Sequence, residues 1–102
     1  MTADGKVPSP LTAPPPAELD HLATLVHELS IAHHDHAMAL AHERRTLANH
    51  YAFAVSRGLS HSASEAAAKH AAIDQICETI TCAATIKSLD VELTYEYVKI
   101  GR

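Results

Sequence analysis

Arg57-Gly58-Leu59-Ser60-His61-Ser62-Ala63-Ser64-Glu65 is the stretch on which the fold turns. A glycine just past a helix end can take the left-handed conformation, and an apolar residue after it commonly packs back on the last turn. Gly58 and Leu59 fit those two positions. Ser62-Ala63-Ser64-Glu65 then has the spacing of a capping box, in which serine and glutamate each cover a free backbone amide. A stop and a start this close predict a turn over residues 58–62 and two helices lying as antiparallel neighbours.

Upstream, no glycine or proline interrupts residues 17–57, and good helix formers dominate. Pro16 suits a first helical turn, where Glu18 and Asp20 complement the positive end of the helix dipole. Leu22, Leu25, Val26, Leu29, His33, His36, Leu40, Leu47, His50, Tyr51 and Ala54 recur at helical spacing, which predicts one long amphipathic helix over about 17–57. Residues 1–16 contain all five prolines. Proline fixes φ and removes a backbone donor, so a disordered tail is expected there, with one helical domain over 17–102.

Downstream, a second helix is expected over about 63–100, and it carries two apolar stripes. The first comprises Ala66, Lys69, Ile73, Ile76, Ile80, Ala84, Lys87 and Val91; folding about the turn sets Ile73 near Leu47 and Ile80 near Leu40. The second comprises Cys82, Ile86, Leu89, Leu93, Tyr97 and Ile100, spaced 4-3-4-4-3, close to a heptad seam. The stripes lie on nearly opposite faces, so one partner helix cannot cover both. The second stripe is therefore the predicted surface for homo-oligomerisation, completing a four-helix bundle. Val91–Tyr97 also alternates like a strand, but nothing else in the chain offers it a pairing partner, and helix is expected.

The formal charge is −4, and no cluster of Lys and Arg could track a phosphate backbone, so nucleic acid is not an expected partner. No run approaches the ~20 apolar residues of a membrane span. A Sec-type leader pattern is absent. Cys77 and Cys82 are five residues apart on one expected helix and point in different directions, which disfavours a disulfide. Together these suggest a cytoplasmic setting. No Gly-rich phosphate loop or nucleophile elbow occurs, and a thin alanine-rich hairpin has little concave volume. Neither an enzyme nor a bound cofactor is expected.

Nine histidines in 102 residues require an account. His33 and His36 are three apart, a workable spacing for metal ligands, and Glu18-Leu-Asp-His21 has the Glu-x-x-His spacing of di-iron bundles. No second such motif follows. A His-rich metal-binding bundle is the alternative reading. Protonating all nine would move the formal charge from −4 to +5, and charging those in the seam would loosen the hairpin.

Ala48-Asn-His-Tyr51, Gly58–Ser60, Ser64–Ala68 and Ile86–Leu93 together resemble small helical accessory proteins of tailed bacteriophages and prophages. That resemblance covers the chain from Leu40 onward. It implies that residues 91–100 continue as helix, and that the protein is cytoplasmic and non-enzymatic. It further implies a host or phage protein as partner, which an accessory protein or inhibitor would engage through a helix face.

Overall fold

The computed structural model describes residues 16–101. The expected disordered tail, residues 1–16, lies outside them except for Pro16, the first residue of α1. The described chain is helical: α1 spans Pro16–Ser56, α2 His61–Ala71 and α3 Ile73–Ile100, with no strand among the described residues. Residues 91–97 are helix, not strand.

α1 ends at the glycine for the expected reason. Gly58 has φ of 88°. Its N–H donates to the Val55 carbonyl at 2.9 Å, and the Leu59 N–H donates to the Ala54 carbonyl at 3.2 Å. These are the two bonds of a Schellman motif, and they satisfy carbonyls that the helix end would otherwise leave free.

The next helix starts two residues earlier than the capping-box spacing suggests. Ser60, with extended backbone, is the cap: its Oγ accepts from the Ala63 N–H at 3.2 Å. That places Ser62 inside the first turn and alanine, not Glu65, at the third helical position, so no reciprocal glutamate bond forms. Across the turn, the Tyr51 hydroxyl and His61 Nδ1 lie 2.8 Å apart, and the two rings meet edge-on. This contact ties the last turns of α1 to the first residue of α2.

The expected continuous second helix is broken at Ala72, whose φ and ψ are −98° and 14°. The break is a kink and not a gap, because the Ala72 N–H still reaches Ala68 and its carbonyl still accepts from Ile76, both at 2.9 Å. Buried positions Ser64, Ala68 and Ala72 are four apart. Beyond Ala72 the inward positions follow 4-3 steps through Thr79, Cys82, Ile86 and Leu89. A repeat that changes phase cannot stay on one face of a straight helix, and Ala72 is where the phase changes.

α1 packs along both α2 and α3, running antiparallel to them. His21 lies beside Glu96, Ala39 shares a groove with Cys82, and Ala54 shares one with Ala67. On α1 the inward positions are Leu25, Leu29, Ala32, His36 and Ala39, again in 4-3 steps, with Leu25 only 2% exposed.

The stripes of the second helix have exchanged roles. Cys82, Ile86, Leu89, Leu93 and Ile100, expected to face outward, are half-buried toward α1. Ile73, Ile80 and Val91 of the other stripe are exposed, Ile80 at 63%. That stripe also carries Lys69 and Lys87, whose ammonium groups would have to leave water to face α1. Leu89 instead lies against the small Ala32, and Cys82 against Ala39. Large-against-small packing brings the helices close.

Two substitutions at the turn test this account. Gly58→Ala has open space for its methyl group but must hold φ of 88°, and should lose ~1 kcal/mol of stability in thermal melts. Ser60→Ala should cost about 1 kcal/mol through loss of the cap, whereas Ser62→Ala should be nearly silent; the reverse order would refute the assigned cap.

Candidate interaction surface

A seam with 4-3 repeats gives every neighbouring residue a definite side. On α1, the residues one before the seam positions include His21, Glu28, Asp35 and His42, with Ile31 and Met38 between them; on α3 they include Glu78, Thr85, Glu92 and Lys99. In an antiparallel pair these rows lie together. His21 Nε2 is 3.9 Å from Glu92 Oε2, and Asp35 shares grooves with Thr85 and with Glu78. This side carries Glu28, Asp35, Glu78 and Glu92, with the exposed apolar Ile31 and Met38 among them. A groove of about 480 Å³ on it is open to solvent and lined by Asp35, Met38, His42, Arg45, Glu78 and Cys82 among others.

The opposite side carries Ser30, Ala37 and Lys87 and is built mainly from the residues one after every second seam position. On α1 these are Leu19, Val26, His33, Leu40 and Leu47, each seven apart; on α3 they are Ile76, Ala83, Asp90 and Tyr97. Near the turn, Leu47 shares a groove with Lys69 of α2. Leu19 and Val26 are each 48% exposed, and Ile73 and Ile80 extend the patch along its α3 edge. The molecule thus has one side richer in acidic groups and one richer in apolar groups. No single stretch of the sequence displays this division, since the two rows of each side come from distant segments.

The residues expected to form an oligomer surface lie mainly in the seam. Of the six, Tyr97 alone is strongly exposed, at 59%; the 4-3 repeat continued from Cys82 lands on Glu96 instead. Glu96 is 7% exposed, with Lys99 Nζ at 3.3 Å and His21 Nε2 at 3.8 Å from its carboxylate oxygens. Strict continuation of the heptad identifies this buried carboxylate in the sequence. The expectation of an apolar residue there hides it.

His33 is exposed on the apolar side, while His36 turns half-buried into the seam. Among the described residues no group of three or more His, Cys, Asp or Glu is arranged to hold a metal ion. The other histidines are exposed, so among the described residues His36 alone of the histidines enters the seam. Cys77 and Cys82 are free thiols, the first exposed and the second half-buried. Among the described residues, no helix is long and apolar enough to cross a membrane.

The buried carboxylate yields a prediction. A buried ionic group whose partners remain in contact with water can be replaced by an apolar one with no loss of stability. Glu96→Leu continues the seam and leaves Lys99 and His21 solvated, so its melting temperature should rise; a fall would mean the ion pairs outweigh the desolvation of Glu96. Against this geometry, no family model, curated protein or solved structure matches the chain.

Proposed function

We propose that this chain is a non-enzymatic protein-interaction protein: a helical hairpin that offers its apolar side to a partner and completes a four-helix bundle through it. The division of the surface into a side richer in acidic groups and one richer in apolar groups carries this reading. A contiguous exposed apolar patch costs solubility and marks a place where another protein docks. Its half-exposed Leu19 and Val26 and its exposed Ile80 would each gain by burial, at ~25 cal/mol per Å². The free thiols suit a cytoplasmic setting. The resemblance to phage accessory proteins adds a host or phage protein to the candidate partners, which the hairpin would serve as an accessory or inhibitor.

Site-specific photo-crosslinking in cells tests the reading. A photoreactive residue at Val26, on the apolar side, should give a discrete protein adduct, whether with this chain or another. The same residue at Asp35, on the acidic side, should give none. No adduct at Val26 would end the interaction reading.

A further inference from the structure

We infer that the occupant of the apolar side is a second copy of this chain, docked antiparallel about a two-fold axis at the level of His33. The inference rests on the interaction reading above and adds the partner and its register.

The row Leu19, Val26, His33, Leu40, Leu47 is matched to itself when its direction is reversed. With α1 laid against α1 of a second copy, Leu19 meets Leu47, Val26 meets Leu40, and His33 meets His33. A two-fold interface requires such self-complementarity, because residue i touches j and j touches i. Ser30 and Ala37, one turn to either side of the axis on the adjoining row, are small and permit close approach. On α3 the same height falls at Ala83, as the groove joining Ala32 to Cys82 shows. On α3 the axis therefore passes the small Ala83 and sets Asp90 beside Ile76, while the polar His33 pair at the centre of the apolar α1 row specifies register.

Charge selects the side. Copies meeting through Glu28, Asp35, Glu78 and Glu92 would repel. The apolar side carries Lys69, Lys87 and Asp90, the last two three apart on one helix and opposite in sign, with Arg44 near its edge. Area agrees as well. Leu19 to Leu47 spans ~42 Å at ~1.5 Å per residue, and two helices are ~20 Å wide, giving ~840 Å² per copy against the ~800 Å² typical of a stable interface.

The test uses the full chain. Light scattering should give twice the 10.9 kDa chain mass. Leu40→Glu and Val26→Glu should each halve that mass with helicity retained by circular dichroism, while Glu28→Arg on the acidic side should leave it unchanged. Register is read by oxidation in a Cys77→Ser/Cys82→Ser background. His33→Cys should form a disulfide-linked dimer. Val26→Cys should not, because two copies of it would lie ~21 Å apart along the axis, beyond the ~7 Å limit between the Cα atoms of a disulfide. Equal linking at both positions would overturn the register, and a monomeric wild type would overturn self-pairing. A monomer that still gives a Val26 photo-adduct with a different protein would sink only the self-pairing and leave the interaction reading standing.

Discussion

The close approach of α1 to α3 along Ala32 and Ala39 is the constraint on which the rest of this structure depends. Both alanines are nearly fully buried, and their lack of bulk lets Leu89 and Cys82 of α3 enter the space between the helices. Larger side chains there would push the helices apart and weaken every dispersion contact along the seam. Once this face is committed, the placement of the other residues follows. The residue after every second seam position goes to one side and the residue before the intervening ones to the other, so the two sides, one richer in apolar and one in acidic groups, are consequences of the seam.

A pair of helices cannot enclose much. Apart from a few small residues and Leu25, the apolar side chains of the seam are only half-buried, because two cylinders touch along a line and leave each contact open on both flanks. The hydrophobic return per residue is correspondingly small, and small domains often find the remainder in assembly. Leu22, Leu29, Leu40 and Leu47 each retain exposed area beside the seam. That geometry links packing to function: the surface that leaves the isolated pair incomplete is the surface available to a partner.

Much of this was legible from particular residues. The long helix follows from uninterrupted helix formers and apolar spacing, and its end from Gly58, since a left-handed position has a strong glycine preference. The cap was less legible, because Ser60 and Ser62 offer the same hydroxyl chemistry and differ only in where the chain emerges from the glycine turn. Ala72 gives no local signal at all. It is an ordinary helix former, and its kink reflects a change of phase in the buried positions. The heptad running from Cys82 was visible, but continuing it through Tyr97 in place of Glu96 favoured hydrophobicity over spacing, and spacing won.

Sequence alone determined that the described chain is helical and where its first helix stops, because propensity, apolar period and the glycine position act within a few residues of one another. It also displayed both stripes of the second helix. Which stripe faces α1 was decided only in three dimensions. That choice compares the desolvation of Lys69 and Lys87 with the fit of Leu89 against Ala32 and of Cys82 against Ala39, groups about fifty residues apart. The division into a side richer in acidic groups and one richer in apolar groups has the same origin, since Asp35 and Glu78, or Leu47 and Lys69, become neighbours only when the helices pack.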